Sequence, residues 1–242
     1  MKQFWLDGRS SREFGMMITG AGTYNAPERD VEFISIEGRN GDLIIDNGRF
    51  KNVPLSYPIS ICRDFPEKAA AARAWLLSKS GYMRLEDDYD PDHFRLAAFT
   101  GPLDFDVKFL NRAAEATLQF NCKPQRFLKS GEIPIEVTDG QLIFNPTPFP
   151  ALPIIRVYGE GEATIYGGST KIKILNIGGG IEIDCEAQFA RDIPKPGIAG
   201  FYRDSDIYVE TFPVLGPAPD YSTFLWTSNV TKVEIIPRWW TV

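Results

Sequence analysis

The sequence predicts a mainly β protein of two domains. Apolar and polar residues alternate in many short runs, turn residues separate these runs, and a single stretch has helical spacing. The 242 residues are 43% hydrophobic and 24% charged, a globular composition that excludes disorder, collagen and coiled coil. We place the domains at residues 1–130 and 131–242, with Lys129-Ser130-Gly131-Glu132 as the linker.

Residues 31–61 predict a long β-hairpin with an elaborated tip. Its first strand alternates apolar and polar residues and ends before Asn40-Gly41, a strong hairpin signal because a type I′ turn needs two positive φ angles. A second Asn-Gly pair stands at residues 47–48, before the returning strand. Pro54 and Pro58 in that strand lack ladder donors, which predicts an edge or a bulge.

One helix is predicted, and we expect it to pack on the first domain. Asp64-Phe65-Pro66-Glu67 has the pattern of a capping box, with Asp64 as the N-cap and a proline in the first turn. Gly81 is placed to end the helix as a left-handed C-cap. An apolar stripe recurs along the helix: Phe65, Ala69, Ala72 and Leu76.

The second domain predicts a β-sandwich or a jelly-roll-like fold. It holds 11 of the 18 prolines, and no stretch of it has helical spacing. Seven short strands separated by turns are typical of such folds. We expect these strands at residues 154–158, 162–166, 170–174, 181–185, 207–209, 224–226 and 233–236.

The distribution of charge excludes one large class of function. The net charge of −6 lies wholly in the second domain, which has 8 basic and 14 acidic residues against 18 of each in the first. An acidic surface repels phosphate backbones, which argues against a protein that reads nucleic-acid sequence. No apolar run approaches the roughly 20 residues of a membrane span. The first residues lack the apolar core of a secretory signal, so we expect a cytosolic chain that leaves the cell only on lysis.

No catalytic, cofactor or metal site is predicted, and we expect the protein not to be an enzyme. His93 is the only histidine in the sequence, and no partner stands at a metal-ligand spacing from it. The acidic run at residues 86–92 lacks the spacing and the glycine of an EF-hand loop, which favours a solvated turn. Three widely separated cysteines indicate buried apolar positions rather than disulfides: Cys62, Cys122 and Cys185.

Tryptophans and paired carboxylates leave two other functions open. The first alternative is a carbohydrate-binding module for host cell-wall glycan, with Trp226, Trp239 and Trp240 as a sugar-stacking or partner surface. Adjacent residues face opposite sides of a strand, so at least one of Trp239 and Trp240 is expected to be exposed or covered by a partner. The second alternative is a cell-wall glycan hydrolase. Its catalytic carboxylates would come from two pairs, Glu160/Glu162 and Asp184/Glu186. Acidic residues two apart in a strand are more typical of its solvent-exposed face.

Several segments resemble the distal tail proteins of long-tailed, siphovirus-type bacteriophages of Gram-positive hosts. The resemblance spans nearly the whole chain, with the segments in matching order. These segments are residues 10–18 (SSREFGMMI), 27–31 (PERDV), 36–43 (IEGRNGDL), 46–50 (DNGRF), 145–147 (NPT) and 235–240 (IIPRWW).

The resemblance implies a structural role in the virion, at the distal end of the tail. Such proteins form a hexameric ring through which DNA passes, and they join the major tail tube protein to a tail-associated baseplate or fibre protein. Their N-terminal domain is a β-sandwich with one helix, and their C-terminal domain is galectin-like. The resemblance also implies assembly in the host cytoplasm without a cofactor or a membrane. The second domain, about 110 residues, leaves no room for the carbohydrate-binding module that some relatives carry.

A closed ring requires two different contact patches on each subunit. We therefore predict that the hairpin at residues 31–61 reaches a neighbouring subunit and pairs with the edge of its sheet. The predicted contacts are polar residues assigned to the hairpin tip: Arg39, Asn40, Asp42 and Arg49.

Overall fold

Strands dominate the computed structural model, which describes residues 2–22, 25–108, 112–198 and 200–242. The predicted mainly β class is confirmed. The chain divides into two units, Met1–Arg126 with Val242 and Phe127–Thr241. The proposed linker residues form a 3₁₀ turn, Lys129–Glu132, and the division after residue 130 stays a prediction. Among the helices of the described ranges, none is long and apolar enough to cross a membrane.

One curled sheet forms most of the first unit. The strands of this unit are β1 (Phe4–Leu6), β2 (Arg9–Ser10), β3 (Met16–Ile18), β4 (Arg29–Ile34), β5 (Leu43–Phe50), β6 (Val53–Cys62), β7 (Met83–Asp87), β8 (His93–Phe99), β9 (Asp106–Lys108) and β10 (Ala113–Leu128). The sheet order is β2-β1-β7-β8-β10-β6-β3, and β9 pairs with β10. A bridge between Lys2 and Ile18 brings the two ends of the sheet together.

The helix of the first unit, α1 (Phe65–Leu77), packs its predicted apolar stripe into the core. All four stripe residues are buried in one cluster with side chains from β1, β6 and β10. Trp75 stacks on Phe14 with a centroid distance of 4.3 Å. Burial of this stripe, rather than helix propensity alone, is what holds a helix of 13 residues.

Both ends of α1 differ from the prediction. Asp64 has a φ of 49° and its side chain caps no backbone N–H, because the N-cap role requires an extended backbone. Its carboxylate lies 3.5 Å from the Nζ atom of Lys68 instead. At the other end, the Ser78 hydroxyl donates to the carbonyl of Trp75 at 2.9 Å and the helix stops there. Gly81, with a φ of 90°, therefore lies beyond the helix rather than at its C-cap.

The predicted hairpin at residues 31–61 is wrong, because its two halves belong to different sheets. β4 pairs with β5 to form a separate two-stranded sheet, which we call the arm (residues 29–50). β6 instead pairs with β10 over its whole length, Val53–Cys62. That long ladder with a distant strand outweighs the local turn signals that joined β6 to the arm.

The two Asn-Gly pairs do not form type I′ turns. The last register pair of the arm is Ile34 with Leu43, so Asn40-Gly41 lies in a longer tip loop, residues 35–42. Asn47-Gly48 lies inside β5, where the register shifts and the Gly48 N–H donates to Asp46 Oδ1 at 2.8 Å. The second pair therefore marks a β-bulge, which the positive φ of its glycine permits.

β6 is not an edge strand, which corrects the expectation drawn from its prolines. The Pro58 carbonyl accepts the Thr19 N–H at 2.9 Å. The Pro54 carbonyl accepts the Asn25 side-chain amide at 2.7 Å. The N and O atoms of a strand residue point the same way, so both prolines face away from β10 and interrupt no bond to it.

A sandwich of two five-stranded sheets forms the second unit, as predicted. The ten strands of these sheets are β11 (Ile135–Val137), β12 (Leu142–Phe144), β13 (Ile154–Gly159), β14 (Ala163–Gly167), β15 (Thr170–Ile174), β16 (Gly179–Asp184), β17 (Phe189–Asp192), β18 (Ile207–Val209), β19 (Tyr221–Trp226) and β20 (Val230–Ile236). A further short strand, β21 (Trp240–Thr241), lies outside both sheets and pairs with β10. The sheet orders are β11-β20-β13-β16-β17 and β12-β19-β14-β15-β18. Side chains from both sheets form one core, and all seven predicted strands are present.

Candidate assembly surfaces

The arm carries apolar side chains on both of its faces. The register places Phe33 opposite Ile44 on one face and Ile34 opposite Leu43 on the other, where Ile45 also lies. Phe33 is 64% exposed and Ile44 is 59% exposed. A two-stranded hairpin is at best marginally stable in water, and exposed apolar patches mark interaction sites. The arm therefore has the properties of an element that a partner covers.

Ion pairs hold the base of the arm. Arg49 Nε lies 2.7 Å from Asp30 Oδ2, and this hydrogen bond holds the pKa of the Asp30 carboxyl below its usual range. The guanidinium of Arg29 lies 5.0 Å from the centre of the Phe50 ring. Contacts between β4 and β5 thus fix the base of the arm, whereas the apolar side chains farther along it are exposed.

The predicted contact residues separate into two groups. Arg39, Asn40 and Asp42 lie in the tip loop and are exposed. Arg49 lies at the base of the arm, on β5 beside Asp30, so its assignment to the tip is wrong. The bulge at Asn47-Gly48 causes this difference, since it continues β5 where a turn was expected.

The three tryptophans do not form one surface. Trp239 is 5% exposed and lies in the core of the second unit, which removes it from the predicted glycan or partner surface. Trp240 is half-buried, stacks on Phe149 at 4.5 Å and donates its Nε1–H to the Pro150 carbonyl at 2.8 Å. Trp226 packs partly against the same core.

A face rich in exposed aromatic and aliphatic side chains, which the sequence reasoning missed, lies on the outside of the sheet β12-β19-β14-β15-β18. Lys171 and Lys173 of β15 also lie on this face. Its exposed side chains project from the positions that alternate with the core residues of these strands. The rings of Phe144 and Tyr221 lie 5.6 Å apart. Consecutive apolar residues in a strand, such as Leu142-Ile143-Phe144, place apolar side chains on both faces of a sheet, and this is the signal that could have predicted the exposed face. The exposed set is Leu142, Phe144, Tyr166, Tyr208, Tyr221 and Leu225.

The outside of the other sheet of the second unit is charged, and its charges pair with one another. A row of five residues crosses all of its strands, each opposite the next: Glu136, Glu234, Arg156, Glu182 and Arg191. Glu182 is buried, and the Nε atoms of Arg156 and Arg191 lie 2.8 Å and 2.7 Å from its oxygens. Lys232 Nζ lies 3.0 Å from a carboxylate oxygen of Glu136 and 2.8 Å from one of Glu234, which balances the third carboxylate of the row. Since these charges satisfy one another, the aromatic outer face of the sheet β12-β19-β14-β15-β18 is the better candidate for contact with another protein.

The candidate acid, base and metal-binding groups take part in structural ion pairs. Asp184 and Glu186 both bind the guanidinium of Arg238, the latter at 2.8 Å. His93 Nδ1 lies 2.7 Å from Asp90 Oδ1. Within the described ranges, no group of three or more His, Cys, Asp or Glu side chains could hold a metal ion. These arrangements stabilise turns and strand ends, and they present no poised acid–base pair.

We expect alkylating reagents to modify Cys62 alone in the folded protein. Burial raises the pKa of Cys122 to about 11 and that of Cys185 to about 12, whereas Cys62 is exposed. The thiolate is the reactive form, so at about pH 8 intact-mass spectrometry should find one labelled site in native protein and three in denaturant. Labelling of Cys122 or Cys185 in the folded chain would contradict this assignment.

Comparison with solved structures identifies the fold. No protein-family model matches the chain, and no curated protein is significantly similar to it in sequence. The Dit protein of phage SPP1, described as a paradigm of the hub adsorption apparatus in phages that infect Gram-positive bacteria, superimposes with a TM-score of 0.73. The two share 14% sequence identity over 97% of this chain and 98% of SPP1 Dit.

A second comparison extends the likeness to an assembled tail structure. Chains of the phage P2 baseplate in its activated conformation, with calcium and with strontium, superimpose with a TM-score of 0.56. They are 10% identical, over 97% of this chain and 97% of the other. The likeness to phage tail proteins predicted from short segments is thus confirmed at the level of the fold. This chain has the fold of the SPP1 Dit hub protein over nearly its whole length.

Proposed function

We propose that this chain is a distal tail protein of a long-tailed bacteriophage. In this role it forms a ring-shaped hub at the distal end of the tail, joins the tail tube to the baseplate or tail-associated fibre protein, and lets genomic DNA pass. The observation that carries the proposal is the correspondence with SPP1 Dit, which includes both units and 98% of that chain. A match confined to one unit would support only a shared domain.

The arm supports self-association into a ring. A ring needs two different patches on each subunit, one of which binds the other patch of the next copy. The arm supplies a protruding patch whose apolar side chains remain exposed among the described residues. Six copies are the number that the resemblance to distal tail proteins implies.

Besides the neighbouring subunits of the ring, the proposed hub binds two other proteins, the tail tube protein and a baseplate or fibre protein. The aromatic outer face of the sheet β12-β19-β14-β15-β18 supports a protein partner there, because interface cores are enriched in aromatic residues. Phe144, Tyr166, Tyr208 and Tyr221 provide such aromatic residues.

Passage of DNA is compatible with the charge of the chain. A protein with a net charge of −6 offers little attraction to phosphate groups. In the second unit, five arginine and lysine side chains lie within 3.0 Å of a carboxylate oxygen. A channel built from such a protein lets DNA slide past without binding it.

The two alternatives from the sequence receive less support. A glycan surface built from the tryptophans loses Trp239 to the core. A glycan hydrolase needs two free carboxyl groups flanking a bond, but both members of the pair Asp184/Glu186 bind Arg238. Glu162 of the other pair lies 3.7 Å from the Nζ atom of Lys173.

Electron microscopy tests the proposed function directly. Negatively stained protein, imaged alone and after mixing with the cognate tail tube protein, is expected to show six-fold rings with a central hole. The rings should stack on tube ends in the mixture. If both samples showed only unassembled subunits and no rings, at every protein concentration tried, the proposal would be overturned.

A further inference from the structure

An apolar groove of about 410 Å³ lies on the first unit between α1 and the β1–β2 turn. Its walls are formed by Leu6, Phe14, Ala71, Ala74, Trp75 and Met83. Ala71 and Ala74 are exposed helix positions, so the groove is open to a partner from the α1 side. Trp75 gives it an aromatic wall, and the buried Phe14 ring supports that wall by stacking on Trp75.

The groove and the arm are complementary features of the same unit. One is a concave, largely apolar surface and the other is a protruding apolar element. Among the residues that the structure describes, no residue of the arm lines the groove. A protruding patch that fits a pocket elsewhere on the same molecule produces a head-to-tail contact, which closes into a ring when the rotation permits. This is the contact geometry that a ring of identical subunits requires.

We propose that the arm of one copy binds in the α1 groove of the next copy, with Phe33 and Ile44 against Ala74 and Trp75. This inference rests on the proposed function and names the partner surface of the arm. The face of Phe33 and Ile44 is chosen because it carries the two most exposed large apolar side chains of the arm. Aromatic rings in contact favour offset or edge-on packing, which the exposed Phe33 ring is free to adopt.

The charges around the groove agree with this docking. Its charged lining residues are Asp7, Arg9 and Lys79, which gives the groove one net positive charge. Arg9 and Lys79 form exposed pairs with Glu13 and Asp7. Both pairs are about half exposed, so exchanging a partner across an interface costs little. The tip loop of the arm has one net negative charge, because it carries Glu37 and Asp42 against the single cation Arg39.

Two substitutions on the exposed side of α1 form a matched test. Ala74→Glu places a charge in the groove, whereas Ala70→Glu places the same charge on the same helix at an exposed position outside it. Glutamate is a good helix former, so both variants are expected to fold. In sedimentation velocity, A74E should raise the concentration needed for ring assembly roughly tenfold or more, and A70E should leave it unchanged. If the melting temperature of A74E is lower than that of A70E, Ala71→Glu, which also lines the groove, takes its place in the same comparison.

A mixing experiment tests the polarity of the contact. A chain whose arm has been cut back still has its groove, and an A74E chain still has its arm. Each should be monomeric alone, and an equimolar mixture should give a complex of two chains and nothing larger, because a single intact contact remains.

The outcomes separate this inference from the proposed function. Rings of A74E at wild-type concentrations, together with monomers of the arm-deleted chain, would overturn the groove as the docking site and leave the hub function standing. Equal loss of assembly in A74E and A70E would also overturn the groove. Loss of binding to tube protein in A74E, with rings intact, would reassign the groove to that partner. Absence of any assembly by the wild-type chain would remove the proposed function itself.

Discussion

Cutting the arm back to its base is expected to convert the ring into folded monomers. Arg29 and Phe50 are register partners, so a two-residue Asn-Gly turn can join them directly. No described residue between positions 30 and 49 belongs to the core of the first unit. The shortened chain should therefore keep its melting temperature while it loses assembly in sedimentation velocity and in electron micrographs.

The expected loss is large because apolar burial, not tip charge, dominates the contact. Burying a large apolar side chain contributes roughly 1.5–3 kcal/mol, whereas an exposed ion pair contributes about 0–1 kcal/mol. The double variant Arg39→Ala, Asp42→Ala is the matched control, since it changes the tip loop and leaves both apolar faces. It should assemble within about tenfold of the wild-type concentration. Rings of the shortened chain, or monomers of the control, would show that the apolar faces are not the contact.

The sequence predicts the strands of the arm but not its boundaries. Alternation identified the first strand, and Asn40-Gly41 does lie where the chain reverses. β6 pairs with β10, which lies about sixty residues farther along the chain. Local sequence patterns contain no information about so distant a partner. Turn residues act locally, whereas strand pairing is decided by burial of the whole ladder. The same reason explains why Arg49 was assigned to the tip.

The candidate surfaces were predictable only in part. The strand rule applied to Trp239 and Trp240 did not hold, because Trp239 precedes β21 and lies outside any strand. Trp239 enters the core, and Trp240 is half-buried against Phe149 rather than exposed. The apolar groove depends on how α1 approaches β1 in three dimensions, so no run of residues marks it. Consecutive apolar residues such as Leu43-Ile44-Ile45 do carry a signal, because on a two-stranded arm they must occupy both faces.

The substitution Trp239→Ala is expected to destabilise the second unit by about 3–5 kcal/mol. Its ring is buried in the core, and the backbone around it is held on both sides. The Leu128 N–H donates to the Trp239 carbonyl at 2.8 Å, and the Arg238 N–H donates to the Gly131 carbonyl at 2.8 Å. A segment fixed in this way cannot collapse into the space that the ring leaves, which places the cost toward the upper end of the range.

Trp240→Ala is the matched control, one residue away and of the same size change. Its half-buried ring contributes a stacking contact of about 0.5–1.5 kcal/mol and one hydrogen bond of similar size. A chain of two compact units need not unfold in a single two-state step, so denaturant titrations should follow the transition of the second unit by amide exchange rather than by a single global signal. Trp239→Ala should lower that transition and leave the first unit unchanged. Equal effects of the two variants would contradict this expectation. They would mean that the segment around position 239 relaxes into the space left by the ring.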